Sequence, residues 1–266
     1  SMPRRSMHSA KSVSSPARSL RKEPRSKGAV ALLLIGAGLI GSYLAVLVAK
    51  LPRLARLCIL DRDVYTAGNL ASQFARPEDV GRPKALALAE ELRRLRPGLK
   101  VEGIHSDVES APLGLFRAAD VVLAALDSKR ARCRVNEAAW RAGVPWIDGG
   151  VASPSLARVT VFVPGAGACY ECQLGAADYA AETVYPCQAA TAAPSSNSPG
   201  YLGALAAALQ TAELSRLLAT GPDPEFAGRE LLFDCASQRL LATRISARTD
   251  CRFDHPVLDI RPLRQG

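Results

Sequence analysis

The chain has 266 residues, of which 48% are hydrophobic and 22% charged, and its formal net charge at pH 7 is +9. This length suits one large α/β domain, and no apolar run reaches the roughly 18 residues of a membrane helix, so we predict a cytoplasmic protein that does not bind membranes. Seven cysteines, an odd number, argue against a disulfide framework and favour a reducing compartment.

Most of the positive charge lies at the start of the chain. Residues 1–28 hold eight basic residues against one acidic residue, are rich in Ser, Arg and Pro, and lack apolar periodicity. We predict a disordered basic tail over 1–28, with an organelle-targeting peptide as the alternative, and one folded domain over 29–266. The folded part has no basic stripe with interleaved aromatics, so we expect no nucleic-acid partner.

After the tail, short apolar runs alternate with segments of helical periodicity. Strands are predicted at 30–35, 57–60, 101–104, 121–126, 145–147 and 158–163, and helices at 39–50, 84–95, 130–141 and 201–218. A loop rich in Ala, Pro and Ser spans about 175–200, and strands near 230–233 and 240–245 are predicted to form a hairpin. The alternation predicts an α/β fold: a Rossmann-like, mainly parallel sheet with helices on both faces and a C-terminal hairpin.

The first strand leads into a glycine-rich turn, with Gly36, Gly38 and Gly41, and the second strand is followed by Asp61. In a nucleotide-binding strand-turn-helix unit the glycines let backbone approach phosphate groups, and the acid holds ribose hydroxyls. Taken alone, this pattern also fits a nicotinamide-dependent oxidoreductase.

Two charged residues elsewhere favour ATP over a nicotinamide cofactor. Asp127 follows another apolar strand, so it is expected at the same edge of the sheet, where it can hold Mg²⁺ against phosphates; capping the next helix is the alternative. Lys84 opens a helix, where the helix dipole disfavours a cation. Such a local misfit is typical of a functional residue, although an exposed lysine is the alternative.

A metal site is predicted from two short motifs. Cys169 and Cys172 form a CxxC pair, and Cys251 and His255 form a C-x3-H pair near the end of the chain. Together they supply the four ligands of a closed structural Zn²⁺ site, while a redox-active CxxC pair is the weaker alternative.

Taken together, these motifs resemble the ThiF/MoeB/HesA family, the adenylating core shared with the ubiquitin-activating enzymes. The resemblance runs from about 30 to 255 and includes the stretch 144–150. It rests on ordered single positions: Gly36, Gly38, Gly41, Asp61, Asp63, Asn69, Leu70, Gln73, Gly81, Lys84, Asp127 and Arg132. It implies that Asp61 and Asp63 face the ribose, that Asn69, Gln73, Lys84 and Arg132 line the ATP site, and that Asp127 holds Mg²⁺.

The resemblance also implies a reaction and partners. ATP would adenylate the C-terminal carboxylate of a small ubiquitin-like or sulfur-carrier protein that ends in Gly-Gly, with Lys84 and Asp127 as catalytic residues. Cys187, in the long loop, would then take the acyl group as a thioester, with direct transfer from the adenylate as the alternative. A homodimer is expected, together with a conjugating enzyme or a sulfur donor. Family members typically use two CxxC pairs, so His255 is a substitution that zinc chemistry permits.

Three departures from the family pattern concern phosphate binding. Leu39 stands where a second glycine is common, and Ser72 stands where the family has a phosphate-contacting arginine. The family's N-terminal helices, which usually supply an arginine across a homodimer, have no counterpart in the sequence. Arg76, Arg82 or the basic tail are the candidate replacements. A non-catalytic ATP-binding adaptor of the same fold is therefore a further alternative.

Overall fold

The computed structural model describes residues 28–179, 198–255 and 259–260. Its strands are β1 (Val30–Ile35), β2 (Leu54–Asp61), β3 (Lys100–His105), β4 (Val121–Ala124), β5 (Trp146–Ser153), β6 (Leu156–Phe162), β7 (Arg229–Asp234), β8 (Arg239–Arg244), β9 (Phe253–Asp254) and β10 (Asp259–Ile260). Its helices are α1 (Gly41–Ala49), α2 (Lys84–Leu95), α3 (Leu113–Arg117), α4 (Lys129–Ala142) and α5 (Gly200–Thr220). Except for Gly28, the predicted basic tail lies outside the described residues.

The first eight strands form one sheet in the order β3-β2-β1-β4-β5-β6-β7-β8. The neighbours from β3 to β5 are parallel, and those from β5 to β8 are antiparallel. From β1 the chain proceeds outward to β2 and β3 and then returns to the other side of β1 as β4. Ligands of open α/β sheets bind at such a reversal, outside the carboxyl ends of the strands, which here are the ends of β1 and β4.

Helices cover both faces of the sheet, as the continuous apolar strands require. On one face Leu32 and Leu34 of β1 share a core with residues of α1, α2 and α5. On the other face Leu33 and Ile35 pack with residues of α3 and α4. Every residue of β1 is buried, and truncating such a leucine to alanine costs about 2–5 kcal/mol. This arrangement confirms the predicted α/β fold and its C-terminal hairpin, which β7 and β8 form.

Several elements differ from the sequence prediction: β4 ends at Ala124 rather than 126, β9 and β10 were not predicted, and three further elements show a physical reason. Strand β2 starts three residues earlier, where Arg56 forms an ion pair with Glu102 of β3 at 3.1 Å and so interrupts the apolar run. Strand β5 continues to Ser153 through Gly149 and Gly150, residues that usually end a strand pattern. Helix α3 was not predicted, because five residues are too few to show helical periodicity. Among the described helices, none is both long and apolar enough to cross a bilayer.

Candidate functional site

At two positions of the turn after β1, the backbone leaves room only for glycine. Gly36 has φ of +95°, and a Cβ there would lie 2.3 Å from the carbonyl oxygen of Ala125, which follows β4. A Cβ on Gly41 would lie 1.8 Å from the carbonyl oxygen of Gly36. Gly38 differs, because a Cβ added there would have Gln73 Nε2, 4.0 Å away, as its nearest described atom beyond the chain neighbours. The open space at Gly38 is therefore available to a ligand.

Asp61 ties the end of β2 to this turn. Its carboxylate accepts hydrogen bonds from the backbone nitrogens of Ala37, at 2.5 Å, and Asp63, at 2.7 Å. Burial raises the pKa of Asp61, and the two backbone hydrogen bonds oppose that rise. Each carboxylate oxygen keeps a further lone pair that can accept from a ribose hydroxyl. The glycine turn and Asp61 are thus one connected unit.

Lys84 is buried at the start of α2, so the alternative of an exposed lysine is wrong. It is 6% exposed, and its Nζ lies 3.2 Å from the Asp63 carboxylate and 5.9 Å from the centre of the Tyr65 ring. An ammonium group has three donors. Within the described part of the chain, Lys84 forms one ion pair, so its ammonium keeps further N–H donors that a phosphate could accept from.

Asn69 and Gln73 lie on the loop beside the turn. Asn69 is structural, because its Oδ1 accepts from the backbone nitrogen of Thr66 and caps the short 3-10 helix Ala67–Ala71. Gln73 presents its side-chain amide to Gly38, and its buried Oε1 lacks a hydrogen-bond partner among the described residues. A buried acceptor without a partner next to the turn fits a polar ligand at this place.

Asp127 does not cap a helix. The N-cap of α4 is Ser128, whose hydroxyl accepts from the backbone nitrogen of Ala131 at 3.2 Å. Asp127 is exposed, and its carboxylate makes no hydrogen bond or ion pair over 28–179 and 198–255, although Arg62 and Arg132 lie near enough to interact with it electrostatically. The capping alternative is therefore wrong, and the carboxylate is available at the same sheet edge as Gly36 and Asp61.

Arg132 is buried below this turn. Its Nε donates to both carboxylate oxygens of Asp148, at 2.9 and 3.0 Å, and its Nη2 donates to the carbonyl oxygen of Leu126. Sequence reasoning assigned Arg132 to the ATP site and missed Asp148. The available signal was a charged residue within an otherwise apolar strand, since such a charge needs a buried partner.

The two arginines predicted to replace the missing phosphate contact are both engaged elsewhere. Arg76 forms an ion pair with Glu91 of α2 at 2.5 Å, and Arg82 forms ion pairs with Glu90 of α2 at 2.5 Å and with Asp79 at 3.0 Å. In the described structure, each of these two side chains has a carboxylate partner. Any use of them at the phosphates must compete with these ion pairs.

The four predicted metal ligands converge in one cluster. The sulfur of Cys169 lies 3.7 Å from that of Cys251 and 4.0 Å from that of Cys172, and Cys172 Sγ lies 3.1 Å from His255 Nε2. All four ligand atoms lie within 4.8 Å of one another. A tetrahedral zinc ion with Zn–S bonds of 2.3 Å separates two sulfurs by about 3.8 Å. The donor set and its spacing therefore fit zinc.

A salt bridge links the two halves of this cluster. Glu171, inside the CxxC motif, accepts hydrogen bonds from Arg252, inside the C-x3-H motif, at 2.6 and 2.7 Å. Tyr179 donates a further hydrogen bond to Glu171 at 2.8 Å, and the ring of Trp140 packs edge-on against His255. Sequence reasoning missed this pair, although opposite charges within the two ligand motifs were a visible signal. Cys187 lies outside the described residues.

Comparison with known proteins agrees with this geometry. The sequence model of the ThiF family matches residues 26–253. The mouse adenylyltransferase and sulfurtransferase MOCS3 is 32% identical over 228 residues, which is 84% of this chain and 47% of that protein. Ubiquitin-like modifier-activating enzyme 5 of Dictyostelium discoideum is 26% identical over 157 residues, which is 54% of this chain and 41% of that protein. The chain spans less than half the length of each of these two relatives.

The fold has a counterpart among solved structures. The crystal structure of E. coli MccB with ATP superposes with a TM-score of 0.67 at 21% identity, over 84% of this chain and 66% of that one. At this identity the likeness concerns the fold. The family match covers the glycine turn, Asp61, Lys84, Asp127 and three of the four metal-ligand positions, and it extends over most of the chain. The chain therefore belongs to the ThiF family.

Proposed function

We propose that the domain over 29–266 uses ATP and Mg²⁺ to adenylate the C-terminal carboxylate of a small ubiquitin-like or sulfur-carrier protein that ends in Gly-Gly. One observation supports the proposal: two carboxylates follow β2 and β4 at the same edge of the sheet, and a buried lysine lies beside the first. Asp61 accepts a hydrogen bond from the glycine turn, Lys84 forms an ion pair with Asp63, and Asp127, three residues past β4, is exposed. The family membership and the matched adenylyltransferase relative support the same reaction.

Each residue has a defined part in this reaction. The backbone around Gly38 and the amide of Gln73 bind the phosphates, and Asp61 and Asp63 orient the ribose. A carboxylate oxygen of the carrier forms a bond to the α-phosphorus, the bond from that phosphorus to the β-phosphate oxygen breaks, and pyrophosphate leaves. Lys84 neutralises charge that develops on the phosphate oxygens, a contribution that is largest in a buried site. Mg²⁺ held by Asp127 would supply further charge neutralisation when bound.

The four metal-ligand residues and Cys187 have separate parts in the proposal. We infer that Cys169, Cys172, Cys251 and His255 hold a structural Zn²⁺, since four protein ligands leave no open coordination position. Cys187 is the proposed acceptor of the acyl group. Its sulfur forms a thioester bond to the acyl carbon, and AMP leaves. A homodimer, and a conjugating enzyme or a sulfur donor as a further partner, belong to the same proposal.

A second candidate function has one specific observation in its favour. Ser72 stands in place of an arginine, and the two arginines predicted to replace it, Arg76 and Arg82, are held by carboxylates of α2 and its preceding turn. A chain that binds ATP without enough cationic charge for adenylation would act as an adaptor.

Pyrophosphate–ATP exchange with purified Gly-Gly carriers separates these candidates. Adenylation predicts carrier-dependent exchange in the wild type, none with a carrier that lacks its terminal Gly-Gly, and none in Asp127→Ala. An adaptor predicts calorimetric ATP binding and no exchange with any carrier tested. Binding of NAD in preference to ATP would instead refute both candidates and favour the oxidoreductase alternative. Arg239→Ala, a change on the exposed strand β8, is a control that should exchange at the wild-type rate.

A further inference from the structure

A buried carboxylate lies in the sheet directly beside the candidate site. Asp148 of β5 is in register with Ala124, the last residue of β4, and its side chain is fully buried. Both of its oxygens accept from Arg132, and Oδ2 also accepts from Arg158 Nη2 at 2.6 Å. Burying charged groups is costly even when they are paired, and apolar residues often stabilise such positions equally well. The cluster therefore points to a role beyond packing.

Arg132 also donates hydrogen bonds to the backbone next to Asp127. Its Nη2 donates to the carbonyl oxygen of Leu126 and, at 3.4 Å, to that of Gly149. Within the described ranges the carboxylate of Asp127 accepts no hydrogen bond, and its charged neighbours are Arg62 and Arg132 itself, which interact with it electrostatically. The position of Asp127 is therefore determined by the backbone of its turn, and that backbone is held by Arg132.

Arg158 binds the same carboxylate from the neighbouring strand. Its Nη1 donates to Thr160 at 3.2 Å and to Glu230 of β7 at 3.4 Å, on the same face of the sheet as Asp148. A Cβ placed on Gly150 would lie 3.3 Å from Arg158 Nη2 and 3.4 Å from Arg132 Nη2, so the two guanidinium groups approach the same glycine. Asp148 supplies the negative charge that allows both to stay there.

We propose that Asp148 is the positioning residue of the magnesium-binding turn: it fixes Arg132, which fixes Leu126 and thereby places Asp127. This inference rests on the proposed function, in which Asp127 holds Mg²⁺. Without the Asp148 charge, Arg132 loses its carboxylate partner and is repelled by Arg158. The turn then becomes mobile, while the glycine turn and Asp61, which belong to other strands, keep their contacts.

The test compares Asp148→Asn with Arg158→Gln, which removes one hydrogen bond from the same carboxylate but leaves the contacts of Arg132 to the turn. Amide hydrogen exchange of the peptide over 125–131 reports on the turn, and calorimetry with and without Mg²⁺ reports on ATP binding. Asp148→Asn should speed exchange in this peptide at least tenfold and raise the Mg²⁺ concentration for half-maximal ATP binding at least tenfold. Its ATP binding without Mg²⁺ should equal that of wild type, and Arg158→Gln should match wild type in every measurement.

A further variant covers a failure of Asp148→Asn to fold. Arg132→Lys keeps a positive charge beside Asp148 but cannot bond to Leu126 at the same time, so it should show the same two changes. Normal exchange in the turn with normal Mg²⁺ dependence would overturn the proposal. So would an equal effect of Arg158→Gln, since the cluster would then act only on general stability. A wild type that binds no ATP refutes the proposed function, whereas hydrogen exchange still decides the role of Asp148.

Discussion

Replacing Gly38 with alanine should weaken ATP binding without weakening the fold. The methyl group has room in the described structure, since Gln73 Nε2, the nearest atom beyond the chain neighbours, is 4.0 Å away. The free energy of unfolding should therefore change by no more than about 0.5 kcal/mol. If phosphate approaches the backbone here, the methyl removes one hydrogen bond to a charged group, worth about 1.5–3 kcal/mol. The expected loss of ATP affinity is then about 10-fold to 150-fold.

Two other glycines give the matched controls, with calorimetric ATP titration and chemical unfolding as the assays. Gly41→Ala brings a carbon to 1.8 Å from the Gly36 carbonyl oxygen, so it should destabilise the protein by about 1–3 kcal/mol as overpacking does. A Cβ on Gly98 meets no described atom within 4 Å, so Gly98→Ala should change neither property. Normal ATP affinity in Gly38→Ala would refute the reasoning, because it would mean that the phosphates do not reach this turn.

Four further outcomes are expected. Ser128→Ala should lower the free energy of unfolding by about 1 kcal/mol, whereas Asp127→Ala should leave it unchanged, because the cap is the serine; the reverse result in urea unfolding would restore the capping role to Asp127. Elemental analysis should find one zinc per chain, and Cys169→Ala should abolish it; a stable wild type free of metal would contradict the site. Cys187→Ala should keep pyrophosphate exchange but form no reducible adduct with the carrier on a non-reducing gel, and an adduct in the variant would exclude this cysteine. Since burial raises the pKa of Asp61 above its unfolded value, the stability that this group contributes is present at acidic pH and lost as the pH rises through the folded pKa. The melting temperature of the wild type minus that of Asp61→Asn should thus decrease as the pH is raised from about 3 to about 7. An increase in this difference would contradict the direction of the pKa shift.

The fold could be predicted from the sequence wherever one local signal decided the structure. β1 and α2 have the predicted bounds, because an apolar run between a basic tail and a glycine turn, and a helical period between prolines, each allow one interpretation. β5 was predicted too short, because Gly149 and Gly150 break the pattern locally. The residue partners that keep it extended, on β6, could not be identified from local sequence.

The candidate site divides in the same way. Motif spacing identified the groups that end strands, such as Asp61 and Asp127, because parallel strands bring their carboxyl ends to one edge. It missed the supporting contacts, such as Asp148 with Arg132 and Arg158, which depend on which side chains meet across the sheet. The local sequence shows Asp79 close to Arg82, but it does not reveal that Glu91 and Glu90 of α2 pair with Arg76 and Arg82, since this depends on the packing of the loop against α2.

The metal cluster joins parts of the chain that are synthesised far apart. Cys169 and Cys251 are separated by 82 residues, and α5, β7 and β8 lie between them. Closing a loop of that length removes about 4.5 kcal/mol of freedom from the unfolded chain in the chain-entropy estimate used for covalent cross-links. A metal bound there therefore acts mainly against unfolding of the C-terminal half of the domain.

The two halves of the metal cluster are synthesised at different times. Until the ribosome has added the last motif, a nascent chain holds two thiols without their partners and a carboxylate, Glu171, without Arg252. Neither the complete set of four metal ligands nor the salt bridge of Glu171 with Arg252 can therefore form before β7 and β8 have been synthesised. Chains released before Cys251 is made cannot complete either link, so they should be metal-poor and the first to be degraded by proteases.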